Sequence, residues 1–202
     1  MPVDENDDVI EIAPDTNANN KSMKSLSRAK KFWAHPNLIA ILVSLTLGIV
    51  IRAFVFQSFY IPSGSMIPAL QIGDRIVVSK LAFAISSVQR GEMVVFARPP
   101  ADHVDPNVHD LVKRVIGLPG DTISANNGHV LIDGRVLREP YLPSNDPTYN
   151  IPKQVVPAGE YFMMGDNRGD SYDSRFFGDV SGKLFVGMVV VRFYPFSRFA
   201  IL

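Results

Sequence analysis

The sequence predicts a mostly β protein, built of bent antiparallel sheets and preceded by one N-terminal transmembrane helix, on three observations. One long apolar stretch lies near the N-terminus, the apolar residues after it come only in short runs, and 15 Pro and 14 Gly among 202 residues separate those runs by tight connections. After the long stretch no segment keeps a helical period for more than about two turns. The length leaves room for one compact domain plus accessory segments.

Taken in order, residues 1–20 carry Asp4, Glu5, Asp7, Asp8, Glu11 and Asp15 with no Lys or Arg, so they read as a disordered acidic tail that cannot bury enough apolar surface to fold. Residues 21–36 form a basic flank with Lys21, Lys24, Arg28, Lys30 and Lys31. Residues 37–57 read as the transmembrane helix. Its apolar part, residues 38–56, spans about 28 Å, close to the roughly 30 Å hydrocarbon core, and Arg52 near the end snorkels to the interface. A cleavable signal peptide is the rival, because the uninterrupted run 38–51 has suitable length and basic flanks. Against it stand the long N-terminal extension, Arg52 directly after the run, and bulky Phe54-Val55-Phe56-Gln57 where a small-x-small cleavage site belongs. The five cations precede the span, so the positive-inside rule puts the tail in the cytoplasm and residues 58–202 on the extracytoplasmic side of the plasma membrane.

Within residues 58–202 the short apolar runs predict strands at 75–80, 92–97, 111–117, 129–132, 160–164 and 184–194. Asn127-Gly128 and Asp133-Gly134 are type I′ hairpin signals, because both central residues need positive φ. Residues 101–110 and the Pro-rich 140–157 are expected as loops. Twenty basic against twenty acidic residues leave no electrostatic footprint for nucleic acid. The absence of Cys excludes a disulfide scaffold, a thiol nucleophile and Cys-ligated zinc.

Four clusters bear on chemistry. Ile61-Pro62-Ser63-Gly64-Ser65-Met66-Ile67-Pro68 follows the apolar span directly. Its prolines restrict φ and Gly64 permits close backbone approach, so Ser65 is either held on a stiff loop with its hydroxyl exposed or is part of an ordinary juxtamembrane turn. In Leu111-Val112-Lys113-Arg114-Val115-Ile116-Gly117, alternation places Lys113 on one face with Leu111 and Val115 and turns Arg114 the other way. Loss of solvation there favours a neutral amine able to act as a general base; the bland alternative is a lysine snorkelling from an edge strand. Gly165-Asp166-Asn167-Arg168-Gly169-Asp170-Ser171-Tyr172-Asp173-Ser174-Arg175 resembles a calcium loop in composition only, since Arg168 falls at a ligand position and no Glu closes it. Asp173 and Arg175 are spaced to pair and hold the turn that presents Ser171. Gly91-Glu92-Met93-Val94-Val95-Phe96 reads as a turn into a packing strand. His103, Asp105, His109 and Asp110 match no zinc spacing and read as solvated loop residues, so neither metal nor cofactor is expected.

In this order, downstream of an N-terminal apolar span, Pro62-Ser63-Gly64-Ser65-Met66, Val94-Val95-Phe96, Lys113-Arg114-Val115-Ile116-Gly117-Leu118-Pro119-Gly120-Asp121 and Gly165-Asp166-Asn167-Arg168 with Ser171, Asp173, Ser174 and Arg175 resemble the four sequence blocks of bacterial type I signal peptidases. The match runs over residues 54–196. The resemblance implies a membrane serine endopeptidase whose catalytic domain is residues 58–202, with Ser65 as nucleophile and Lys113 as general base. It implies Ser63 as oxyanion donor, Ser171 as the residue orienting Lys113, and Asp173 and Arg175 as a structural ion pair. The implied substrates are signal peptides of exported preproteins, cut after an Ala-x-Ala type segment, alongside the secretion translocase and at the bilayer surface. Ala69 departs from the Thr of many relatives, and one anchor with short loops departs from members that have two anchors and a large insertion. A self-cleaving Ser/Lys repressor would need a DNA-binding region where the span stands. A Ser/His/Asp hydrolase lacks its Gly-x-Ser-x-Gly elbow. The non-enzymatic alternative is a tethered β domain that binds exported chains without cutting them.

Overall fold

A computed structural model of the chain describes residues 36–102, 108–143 and 146–202, so the acidic tail and nearly all of the basic flank lie outside the described residues. The chain divides into two units, Met1–Ile49 and Val50–Leu202. Helix α1 (Pro36–Phe54) opens on a proline, which has no N–H to lose in a first turn. Its side chains Ile39, Leu42, Leu45 and Ile49 are exposed. Among the described residues no helix is long and apolar enough to cross a membrane; α1, about 28 Å long by the helical rise, stops just short of a hydrocarbon core. The transmembrane helix expected over 37–57 is thus not found as a membrane span among the described residues, and the helix itself is corrected at its C-terminal end. Phe56 and Gln57 belong to a strand instead, because Phe56-Gln57-Ser58-Phe59-Tyr60 alternates exposed with half-buried side chains and pairs Phe56 with Ser79 through Tyr60 with Arg75.

Twelve strands follow among the described residues: β1 (Phe56–Tyr60), β2 (Arg75–Ser79), β3 (Met93–Ala97), β4 (Asp110–Gly117), β5 (Thr122–Asn126), β6 (His129–Ile132), β7 (Arg135–Val136), β8 (Ile151–Val155), β9 (Glu160–Met164), β10 (Val180–Ser181), β11 (Phe185–Tyr194) and β12 (Ala200–Ile201). The larger sheet has the order β1-β2-β11-β3-β4-β9-β10, with β12 added to β11, and the smaller has the order β7-β6-β5-β8. Every named pairing is antiparallel. Register shifts in β11 and at Val115/Gly117 of β4 mark bulges, which bend and twist a sheet. At Gly187 a Cβ would lie 2.4 Å from the Ser79 carbonyl oxygen, so only glycine lets β11 cross β2 there.

Both two-residue hairpins take the expected form: Asn127 and Gly128 join β5 to β6 with φ 51° and 83°, and Asp133 and Gly134 join β6 to β7 with φ 52° and 77°. The expected loop over 140–157 is corrected in part, because Ile151 is buried and β8 pairs with β5 there. The expected loop over 101–110 is described only at its edges, and Asp110 already belongs to β4.

β3 is buried on both faces and separates two apolar clusters. Met93 and Val95 pack with Ile61, Met66, Leu70, Ile76, Val78 and Val189. Val94 and Phe96 pack with Val115, Met163, Phe177 and Val180. A third cluster, including Ile116, Phe162 and Val130, joins the small sheet to β4 and β9. Full burial of a side chain such as Phe162 contributes about 1.5 to 3 kcal/mol. The first cluster matters most for the site, because Met66 and Leu70 anchor the segment that carries Ser65.

Candidate active site

Ser65 lies in the connection between β1 and β2. Ile61 N–H donates to the Asp74 carbonyl and Gly73 N–H to the Ile61 carbonyl, each at 2.9 Å, closing the loop at its base. The Asp74 carboxylate accepts from Gln71 N–H and from Arg198 Nη1, each at 2.8 Å. Buried Met66 and Leu70 pin the loop from below. From the opposite side Asn167 N–H donates to the Ser65 carbonyl and Asn167 Nδ2 to the Gly64 carbonyl, both at 3.1 Å. The Ser65 hydroxyl faces Ser63 Oγ at 3.5 Å. Among the described residues the Ser65 N–H donates to no protein acceptor, which leaves it free for a ligand oxygen.

Lys113 stands on β4 opposite Val94 and is 3% exposed. Nζ donates to Ser171 Oγ at 3.1 Å, and Ser171 Oγ donates to Asp173 Oδ2 at 2.8 Å. Because the serine proton is committed to the carboxylate, Ser171 offers Lys113 only a lone pair. A neutral amine can therefore give one hydrogen to Ser171 and keep its own lone pair for another group. Burial pulls the Lys113 pKa down to about 8; the Asp173 charge opposes this most strongly, Arg175 adds to the lowering, and Asp102 and Asp166 oppose it. Asp173 is held by Arg175, whose Nε reaches Oδ1 and Nη2 reaches Oδ2, each at 2.8 Å, and by Gly165 N–H at 2.9 Å.

Ser63, Ser65 and Lys113 line one cleft of about 360 Å³, walled largely by apolar groups such as Ile61, Val95 and Leu111. Ser65 and Lys113 share no direct hydrogen bond; each is bonded to a different serine. The packing around Gly165 draws the two sides together. A Cβ there would lie 2.2 Å from Ser171 Oγ and 2.4 Å from the Ser65 carbonyl oxygen, so the glycine backbone fills the gap between them. Of the residues selected from sequence, Ser63, Ser65 and Lys113 thus face the cleft, Ser171 touches Lys113 from behind, and Asp173 with Arg175 supports Ser171.

Sequence reasoning missed three buried partnerships. Arg114 does point away from Lys113, but into a bidentate pair with fully buried Asp166, Nε to Oδ1 at 2.7 Å and Nη2 to Oδ2 at 2.6 Å. Arg168, 1% exposed, pairs with Glu139. Arg98 pairs with Asp102 at 3.1 Å at the edge of the cleft. The only signal for the first two was the density of charges between Gly165 and Arg175, which does not name partners far away in sequence. No group of three or more His, Asp or Glu poised for a metal occurs among the described residues, and His103 and Asp105 lie outside them.

Serine hydroxyls and a desolvated amine around an apolar cleft are groups that can serve nucleophilic hydrolysis. The family model "Signal peptidase, peptidase S26" matches residues 33–194. The chain is 41% identical to "Signal peptidase I" of Leptolyngbya laminosa over 77% of each chain. It is 42% identical to "Probable signal peptidase I-1" of Synechocystis over 80% of this chain and 83% of that one. It is 37% identical to "Signal peptidase I" of Bacillus caldolyticus over 82% of this chain and 92% of that one. The chain therefore belongs to the signal peptidase family, peptidase S26, whose members are serine endopeptidases that cleave signal peptides.

Proposed function

We propose that this protein removes signal peptides from exported preproteins through an acyl-enzyme on Ser65, with Lys113 as the general base. The observation that carries the reading is the setting of Lys113: a buried amine that lines the same cleft as Ser65 and, among the described residues, donates to Ser171 alone, a bond that does not use its lone pair when it is neutral. Neutral Lys113 takes the Ser65 Oγ proton as that oxygen attacks the scissile carbonyl, then gives the proton to the leaving amine. The same amine activates the water that releases the acyl group. The Ser65 N–H and the Ser63 hydroxyl receive the developing oxyanion, each donor contributing about 3 to 4 kcal/mol in comparable sites.

β4 supplies a docking edge for an extended substrate. It pairs with β3 over Asp110 to Arg114 but with β9 only from Arg114 onward, so residues 110–113 keep one edge unpaired among the described residues. A peptide strand added there runs beside Ser65, and alternate side chains enter the apolar cleft, which fits the small residues of an Ala-x-Ala segment.

Helix α1 serves as the membrane anchor in this reading. Its apolar side chains are exposed, and a helix slightly shorter than the hydrocarbon core is accommodated by bilayer thinning and by snorkelling of Arg52. The basic residues before Pro36 keep the N-terminus cytoplasmic and residues 58–202 outside, where the enzyme meets preproteins leaving the secretion translocase. The deciding experiment incubates the detergent-solubilised full chain with a peptide containing an Ala-x-Ala cleavage site. Cleavage that disappears in Ser65→Ala and in Lys113→Met is the expected result; undiminished cleavage in either folded variant removes the assignment.

A further inference from the structure

We propose that Glu139 is a positioning residue for the cleavage reaction: through Arg168 it holds the loop that sets Asp173 and Ser171 behind Lys113. The inference rests on Lys113 being the base and adds a residue from the small-sheet side of the domain.

Glu139 follows β7 and lies outside the cleft. Arg168 Nη1 donates to Glu139 Oε2 at 3.1 Å, and Nη2 donates to Oε1. The same guanidinium reaches Thr148 Oγ1 at 2.5 Å and, through Nε, the Gly165 carbonyl at 3.1 Å. With 1% of its surface exposed, Arg168 has no water to replace a lost carboxylate. Its main chain is tied as well: its N–H donates to Asp146 Oδ2 at 2.7 Å and its carbonyl accepts from Arg175 Nη1 at 2.8 Å.

From Arg168 the restraint reaches the reacting groups through two routes. Gly165 accepts from Arg168 at its carbonyl and donates from its N–H to Asp173, which accepts the Ser171 proton. Arg175 binds the Arg168 carbonyl and the Asp173 carboxylate together. Gly165 also touches both Ser171 and the Ser65 backbone, so a shift of the Arg168 head group moves each side of the cleft. A second tie runs through Tyr141, whose hydroxyl donates to Glu139 Oε1 at 2.9 Å and whose ring lies 3.9 Å beneath Arg114, the neighbour of Lys113 on β4.

The charges acting on Lys113 are Asp173, Arg175, Asp102 and Asp166. Glu139 contacts Arg168 and Tyr141 and influences Lys113 through packing and bond geometry. Loosening the loop admits water to the amine and weakens the burial that lowers its pKa, so the acid limb of the pH–rate profile moves upward from about 8.

The test measures kcat, KM and the pH profile of the detergent-solubilised full chain on an Ala-x-Ala peptide for the wild type, Glu139→Gln and Tyr141→Phe, with thermal melts for each. Glu139→Gln is expected to lower kcat about tenfold with KM within about twofold, as misplacement of catalytic groups does, and to raise the acid-limb midpoint. Tyr141→Phe, which deletes one bond to Glu139, is expected to act in the same direction by less, and it decides the matter should Glu139→Gln fail to fold. A folded Glu139→Gln with unchanged kcat and midpoint overturns the proposal, as does an unmoved Tyr141→Phe where Glu139→Gln is unfolded. A wild type without Ser65-dependent cleavage overturns the functional reading itself, which separates the two failures.

Discussion

Protonation of Lys113 offers the sharpest test of the mechanism, because both its direction and its size follow from the site. The perturbation is pH alone. In the proposed mechanism Lys113 has to be neutral to accept the Ser65 proton, and burial lowers its pKa from 10.5 to about 8. Below that point kcat/KM falls about tenfold per pH unit, so roughly a tenth of the enzyme is competent at pH 7 and roughly a hundredth at pH 6. An unburied lysine would leave about one molecule in three thousand competent at pH 7. The pocket therefore raises the active population about 300-fold, equivalent to ~3 kcal/mol. The assay is the initial rate of cleavage of a fluorogenic Ala-x-Ala peptide lacking His and Cys, at concentrations well below KM, so that the limb reports the free enzyme. The expected curve has a single acid limb with its midpoint near 8. A rate that stays flat down to about pH 6, or a midpoint near the ordinary lysine value, refutes a buried amine as the base.

The same shift has a stability side. Between pH 8 and 10.5 the unfolded chain binds a proton at Lys113 that the folded chain has released, so stability rises as pH climbs through this window. Lys113→Met should lack that rise and melt several degrees above wild type at pH 7, the relief of a buried charge being worth up to ~3 kcal/mol; a lower melting temperature would contradict it. Gly165→Ala should leave a folded domain with activity reduced by about two orders of magnitude, because the new Cβ must displace Ser171 Oγ or the Ser65 carbonyl; wild-type kcat in that variant would refute the tight juxtaposition. Asp179 has a buried Oδ1 with no partner among the described residues, and burial followed by the nearby Glu160 charge raises its pKa to about 6. Its folded form retains a proton that the unfolded chain has lost, so its penalty is full above pH 6 and fades as pH falls toward 3.8. Asp179→Asn should accordingly raise the melting temperature at neutral pH and have a smaller effect near pH 4; equal shifts at both would refute the titration.

Local rules made much of the domain readable. The Asn-Gly and Asp-Gly pairs demanded positive φ, and period-two alternation put Lys113 with Leu111 and Val115 while turning Arg114 to the other face. Those inferences concern residues next to each other in sequence. The end of α1 was harder, since Phe56-Gln57-Ser58-Phe59-Tyr60 is apolar enough to continue a helix and becomes a strand because β2 lies ready to pair with it. β8 was hidden by surrounding prolines for a similar reason: its strand character comes from β5, not from its own composition.

The charged cluster at 165–175 shows the limit most plainly. Its composition resembles a solvated loop, yet Asp166, Arg168 and Asp173 are almost completely buried. Desolvating three charges is unfavourable unless each finds a partner, and each does: Asp166 with Arg114, Arg168 with Glu139, Asp173 with Arg175. Two of those partners lie on other segments, so periodicity and turn chemistry within the cluster could not identify them. The same pairings explain why the segment is so polar. A loop held by hydrophobic side chains could pack against β4, but it would offer Lys113 no fixed acceptor; a loop held by ion pairs brings a carboxylate to Ser171, commits the serine proton, and so makes Ser171 the acceptor of a Lys113 hydrogen.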